Sequence, residues 1–329
     1  PVGRAGPSWH YKAKVAFHLS FFCLFWVFYC SIHPFSWCAA LAAAYNRVIL
    51  TGIGHEEVHG RLGRARGSGS WLRRLLFQTF DLAFLFPSEL WHHEHVLQHH
   101  PHTRRPALDP DEHLDPVMRL NAVFPRHFHH RFQAALEFLI GFVAAWGTWA
   151  DNHLAKGHSL FPQGVLFLGF HLLPVLLAPT AGDGLSTALV ASGVASCATL
   201  LCFHVSHIQA ETAVRAGAEP AAGAEPPAAA KKPRDAKEPP DPASMDWGEF
   251  QAHASANWAE TRWWMPTGTL DLQIEHHLFP ALPYELQKTV LQPVVRGACV
   301  EFGVPYREYP SLGAAVLAHL RHVAGLGKE

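Results

Sequence analysis

Residues 91–100 read Trp91-His92-His93-Glu94-His95-Val96-Leu97-Gln98-His99-His100, and half of them are histidine. Wound as a helix, this stretch sets His95 and His99 one turn apart on a shared face and turns His100 about a quarter-turn away. One helix can therefore offer imidazoles to two neighbouring metal ions. Three other stretches repeat the theme. In His55-Glu56-Glu57-Val58-His59 two imidazoles again stand one helical turn apart. In Gln273-Ile274-Glu275-His276-His277 a glutamine precedes a histidine pair by three and four positions, and Phe203-His204-Val205-Ser206-His207 adds a fourth cluster. The chain holds 25 histidines against 26 lysines and arginines together. His18, His171 and His319 stand alone and read as packing or surface residues. His92, His93, His102, His127, His129 and His130 read as polar residues of an interface. Unrelated surface histidines have no reason to recur as HxxxH, HxxxHH and HH; the pattern points to a metal.

Composition places that metal at a membrane. Of 329 residues, 49% are hydrophobic and 16% charged, against about 25% charged in ordinary soluble domains. Four apolar segments approach the ~20 residues a bilayer requires: about 15–32, 34–53, 160–178 and 185–205. A fifth run, Ala134–Ala150, is shorter and carries Glu137 and two tryptophans, which reads as a helix lying in the interface. Asn46 and Arg47 read as snorkelling out of the second span. The turns Ser31–Pro34 and Thr180–Gly184 contain no Lys or Arg. Arg61, Arg64, Arg66, Arg73, Arg74, Arg104, Arg105, Arg119, Arg126 and Arg131 all lie between spans two and three. By the positive-inside rule that stretch is cytoplasmic. Four spans leave every histidine cluster on that face, whereas five would split them.

The expected fold is all-α: a multi-pass membrane protein with four transmembrane helices and a cytoplasmic helical cap holding a histidine-rich di-iron site. Residues 1–14 form an N-terminal cytoplasmic segment and 15–329 the main domain. Within it, residues 213–245 are rich in Ala, Pro, Glu and Lys without a hydrophobic period, and read as a disordered insertion. From Asp246 onward the pattern is globular and helical, for example Tyr284–Glu301. Arg66-Gly67-Ser68-Gly69-Ser70 lacks the Gly-Lys-Ser/Thr of a phosphate loop and reads as a turn. Six cysteines without a CxxC pair read as small buried hydrophobes in a reducing compartment. A net charge of −1 excludes a nucleic-acid partner held by bulk charge.

A structural zinc site closes with four ligands, so seven or eight clustered imidazoles exceed one zinc and suit two irons with open positions. Iron also changes oxidation state to activate dioxygen, which zinc cannot do. Neutral imidazoles leave such metals highly charged, so Glu56, Asp109 or Glu275 are candidates to orient ring N–H groups. Read alone, His55-Glu56-Glu57-Val58-His59 is also the HExxH pattern of an intramembrane zinc metalloprotease with Glu56 as general base, but that reading leaves the other clusters unemployed. A histidine-rich metal-transport protein is disfavoured because the clusters lie at membrane exits and not along one span.

At these residues the sequence resembles the membrane fatty acid desaturases, specifically the front-end (Δ4/Δ5/Δ6/Δ8-like) group. Gln273-Ile-Glu-His-His-Leu-Phe-Pro280, followed by Ala281-Leu-Pro283, is similar to that group's third box, its Gln replacing a first His. Trp91…His95-Val-x-x-His99-His100…Thr103, then Asp109-Pro110-Asp111, resembles the second box, and His55…His59-Gly60 the first. Val205-Ser206-His207 resembles the extra ligand-bearing stretch after the fourth span. Val304-Pro-Tyr306 and Tyr309-Pro-Ser311 extend the likeness. Arg104 departs from it, since an Asn usually follows the box-two Thr, and the Ala/Pro-rich stretch looks like an insertion.

The resemblance implies metal ligands at His55, His59, His95, His99, His100, His207, His276 and His277. Gln273, Glu56, Asp109, Glu275 and His204 are candidates for a further ligand or for orienting one. It implies two non-haem Fe ions, O2 as co-substrate, and a cis double bond placed in a polyunsaturated acyl-lipid or acyl-CoA between its carboxyl end and an existing double bond. Electrons would come from cytochrome b5 with its reductase, either separate or fused upstream of Pro1, since His33-Pro34-Phe35-Ser36 is not a haem motif. The endoplasmic reticulum is the expected site, the metal facing the cytosol, with a plastid membrane as the alternative. A sphingolipid long-chain-base desaturase or a related di-iron lipid hydroxylase would share the same boxes.

Overall fold

The computed structural model describes residues 9–59, 78–158, 164–213, 245–259 and 270–328. Residues 1–8 of the N-terminal segment, Arg61 to Arg74, the glycine-containing stretch 66–70 and nearly all of the 213–245 insertion lie outside the described residues.

Two helical hairpins frame the molecule. Helix α1 (Trp9–Phe25) continues through a wide turn (Trp26–Cys30), and α2 (Trp37–Val58) returns, its first turn capped by the Ser36 side chain. Farther along, α6 (Val165–Leu177) leads into α7 (Ala181–His207), whose start is capped by the Thr180 hydroxyl accepting from the Asp183 N–H. At 27 residues, α7 is about 40 Å long, enough to pass the ~30 Å hydrocarbon core. The two Arg/Lys-free turns meet: the Phe35 N–H donates to Asp183 Oδ1 at 2.9 Å. The other ends of α2 and α7 carry His55 and His207, so the histidines gather at the opposite end of the bundle from the bare turns.

Arg47 does not snorkel. It lies in the middle of α2, 0% exposed, with Nη1 3.0 Å from His171 Nδ1 and bonded to Ser192 Oγ, and its guanidinium sits 4.2 Å from the Trp26 ring. Asn46 is also buried, its amide donating to the His18 carbonyl. Helix α2 runs on past both residues to Val58, and neighbouring helices supply the polar partners that water would have supplied at an exit.

The run read as interfacial forms α5 (Gln133–Ala150) and packs lengthwise, antiparallel, against α7. Ser196 Oγ donates to the Gly141 carbonyl at 2.6 Å and accepts from the Ala145 N–H at 2.9 Å, and a Cβ on Gly141 would meet Cys197 at 3.0 Å. Small residues let the two backbones come this close. Among the described residues three helical stretches are long and apolar enough to cross a membrane: Trp9–Cys30, Phe128–Ala155 and Ala181–His207. Two further segments of the expected spans are α2 and α6, the latter apolar over Leu168–Leu177.

Between the hairpins come α3 (Thr79–Phe84) and α4 (Ser88–Trp91). After α7 come α8 (Trp247–Ala254), α9 (Gln273–Leu278), α10 (Gln292–Phe302) and α11 (Leu312–Leu326). Gly303, at φ 66°, ends α10 in the left-handed conformation that glycine adopts freely. Two short parallel strands, β1 (Asn257–Trp258) and β2 (Glu308–Tyr309), tie this part together; the sequence reading contained no strand.

Gly54 sets the approach of α3 to α2 one residue before His55. A Cβ there would lie 2.7 Å from the Phe80 backbone nitrogen. Gly54→Ala is therefore expected to cost about 1–3 kcal/mol of stability, read as a lower thermal midpoint of the detergent-solubilised protein.

Candidate metal centre

Four elements bring the histidines together. His55 closes the last turn of α2 and His59 caps it. Helix α4 runs into a wide π-helical turn (His92–His99) and then a short turn (His100–His102). His207 ends α7, and His276 and His277 lie side by side on α9. None of the eight expected ligands is more than 8% exposed.

They form two adjoining groups. His55, His59, His95 and His276 present ligand atoms within 4.8 Å of one another, as do His99, His207 and His277. His100 stands between, its Nε2 3.2 Å from His95 Nε2 and its ring stacked on His277 at 4.1 Å. His95 and His99 each belong to one of these groups, yet their rings stack at 5.2 Å and, with Asp111, they also present ligand atoms within 4.8 Å of one another. Trp91 lies flat on His95 with ring centres 4.6 Å apart, and Phe80 and Phe203 stack on the indole at 4.6 and 5.3 Å.

The donor set fits metal ions. His95 Nε2 faces two ring nitrogens at once, His55 Nε2 at 2.9 Å and His100 Nε2 at 3.2 Å, and His207 Nε2 faces His277 Nε2 at 3.1 Å. One ring N–H can satisfy only one such contact; a cation satisfies all of them. In the second group each outer nitrogen is held by an oxygen: His99 Nδ1 by Asp109 Oδ1 (2.9 Å), His207 Nδ1 by the Ala254 carbonyl (3.0 Å) and His277 Nδ1 by Gln251 Oε1 (3.0 Å). Such bonds fix the tautomer that leaves Nε2 free to bind metal. His99 Nε2 is accordingly buried without a hydrogen-bond partner.

Electrostatics favour the same state. Burial first, then the neighbouring imidazoles, holds His95, His100 and His277 well below the ordinary histidine value, so they stay neutral, the metal-binding form. His99 differs: burial depresses it, but Asp109 and Asp111 outweigh burial and raise the ring to about 9, so without a metal it carries both protons, and a bound ion displaces the one on Nε2 while Nδ1–H stays on Asp109. Arg104, where the resemblance had suggested Asn, lies at φ 62°. Its backbone N–H donates to Asp109 Oδ2 at 2.7 Å and its buried side chain pairs with Glu112. The main-chain task at this position is independent of the side chain.

The remaining candidates are placed as follows. Asp109 orients His99. Glu275 receives Tyr306 Oη at 2.7 Å and Asn257 Nδ2 at 2.8 Å, bonds that anchor α9. Gln273 donates to the Leu270 carbonyl at 2.8 Å, and Glu56 is buried in the turn of His55. His204 turns away from the cage to Glu137. Gln251 and the Ala254 carbonyl were missed: both belong to α8, whose sequence carries no signal of a partner far along the chain. His319 was set aside as an isolated histidine, yet it is 0% exposed and bonded to Glu137.

Long apolar helices ending in two groups of buried, inward-facing imidazoles define an all-α, multi-pass membrane protein with clusters consistent with a di-iron motif. The model of the family described as fatty acid desaturase matches residues 31–310, and the chain belongs to that family. It is 27% identical over 301 residues to the acyl-lipid (8-3)-desaturase of Physcomitrium patens, covering 84% of this chain and 57% of that protein. To the chloroplastic acyl-lipid (7-3)-desaturase of Chlamydomonas reinhardtii it is 29% identical over 296 residues, covering 84% and 53%. To the sn-1 linoleoyl-lipid 6-desaturase of Synechocystis sp. it is 26% identical over 303 residues, covering 84% and 76%. These relatives are of the front-end type. The chain spans little more than half the length of the first two.

Asp109→Asn is expected to weaken metal binding about 10–100-fold, measured by competition with a chelator. Stripped of metal, the protein should lose stability as pH falls below about 6.5. The depressed His95, His100 and His277 stay unprotonated in the folded state while the unfolded chain takes up protons there. Thermal melts between pH 5 and 7.5 check the sign.

Proposed function

We propose that this chain is the catalytic part of a front-end acyl-lipid desaturase, holding two irons through His55, His59, His95, His99, His100, His207, His276 and His277. The observation that carries the reading is the pair of adjoining imidazole groups, with ring nitrogens directed inward, at one end of an apolar helical bundle. An unactivated methylene C–H yields to no side-chain acid or base near neutral pH. When bound, the two irons supply from dioxygen and two delivered electrons the oxidising power that removes hydrogen from two adjacent carbons, leaving a cis double bond and water. The chain's own residues do the rest. Asp109, Gln251 and the Ala254 carbonyl hold the rings of His99, His277 and His207 in orientation, so the ligands need not reorganise during the reaction. Phe80, Trp91 and Phe203 cover one side of the cage and keep water from it.

The substrate is an acyl chain carried on a membrane lipid, in line with the names of the relatives, and the apolar helices hold that chain dry beside the metals. Four crossings, α1, α2, α6 and α7, complete this reading, with the bare turns after α1 and before α7 lying together. The domain then runs from about residue 15 to 329, the metal centre faces the cytosol, and cytochrome b5 with its reductase supplies electrons. The endoplasmic reticulum is the proposed membrane, with a plastid membrane as the alternative.

Metal analysis of the purified protein is expected to return about two irons per chain; a single zinc would end the reading. In a yeast host fed polyunsaturated acids, the wild-type chain, supplied with cytochrome b5, should yield a product lighter by two hydrogens. His276→Ala and His99→Ala should yield none while remaining in the membrane fraction. A product heavier by one oxygen would mark a hydroxylase.

A further inference from the structure

A second buried cluster lies beside the cage. Glu137 on α5, His204 on α7 and His319 on α11 are 0%, 4% and 0% exposed. His204 Nδ1 and His319 Nε2 both lie 2.7 Å from Glu137 Oε1, and His319 Nδ1 lies 2.7 Å from the Ile208 carbonyl. These are lengths of charge-assisted hydrogen bonds, each nitrogen meeting an oxygen. In the cage, by contrast, nitrogens face nitrogens. His319 meets an oxygen at each ring nitrogen, Glu137 on one side and Ile208 on the other, and so bridges α5 to the end of α7.

The positions gripped are informative. His204 lies three residues before His207 and Ile208 one residue after it, where α7 ends. The last carbonyls of α7 are capped from nearby chain, Ser206 by the Ala256 N–H at 2.9 Å and Val205 and His207 by Gln209 and Thr212, so what the three residues add is a tie from this terminal turn to α5 and α11. Helix α11 has its own attachment: Arg119 Nη1 donates to the Leu326 carbonyl and Gln133 Nε2 to the Val323 carbonyl, both at 2.6 Å. The helix therefore stays docked when the histidine contact is cut.

We propose that Glu137, His204 and His319 form a positioning clamp for the metal ligand His207, making the C-terminal helix part of the metal centre. The proposal rests on the metal reading above, and its test separates the two. Wild type, Glu137→Gln and His319→Asn are purified in detergent, and their binding of Fe(II) and of Co(II), as a spectroscopic substitute, is measured by chelator competition. Asn at 319 can still donate to the Ile208 carbonyl but no longer reaches Glu137. His319→Gln reaches Glu137 but not Ile208. Metal binding is expected to weaken about 10–100-fold in Glu137→Gln and His319→Asn, with altered Co(II) absorption, unchanged helical content and a smaller loss in His319→Gln. Should Glu137→Gln fail to fold, the two His319 variants carry the test, because Arg119 and Gln133 still hold α11. Wild-type affinity and spectrum in the folded variants would overturn the clamp and leave the desaturase reading standing. A third metal ion in wild type that Glu137→Gln loses would replace the clamp with a metal site. Failure of the wild-type chain itself to bind paired metals would sink both readings.

Discussion

A neutral imidazole offers a metal one nitrogen and is held steady for it when the other meets an oxygen. The packing around the histidines answers to that constraint. Eight histidines are drawn out of water at one end of a helical bundle, where an unpaired polar atom is costly. Each must keep a nitrogen directed at its neighbours. Asp109 fixes that direction for one of them, and Gln251 and the Ala254 carbonyl, both on α8, for two more. The cage is thus held from outside, by residues whose only common property is a well-placed oxygen.

The bundle below serves the same end. Hairpins α1–α2 and α6–α7 turn on one side and deliver His55 and His207 to the other. Small residues, Gly54 against Phe80 and Gly141 against Cys197, permit the close approaches that bring α3 and α5 beside them. The Arg47 guanidinium, bonded to His171 and Ser192 and faced by the rings of Phe22 and Trp26, fastens α2 to α6 and α7 and meets α1 in the buried middle of the bundle.

That these histidines gather in one place was legible in the sequence because coordination restricts both residue type and spacing, and few alternatives explain HxxxHH beside an apolar run. What surrounds them was not. Gln251 lies 26 positions before His277, and His319 meets Glu137 across 182; pairings of that range leave no local periodicity. Arg47 was misread for a related reason: a charge near the end of an apolar run has the same sequence whether it meets water or polar side chains from other helices. Helix α5 was read as interfacial from its shortness, its two tryptophans and its acid, Glu137, whose partners are two distant histidines.

The wide turn at His92–His99 has a mechanical corollary. Each hydrogen-bonded step there closes over five residues where α2 closes over four. Removing one residue from the wide turn leaves an ordinary α-helical winding to fall back on, whereas removing one from α2 before His55 would swing that ring and His59 about 100° around the helix axis.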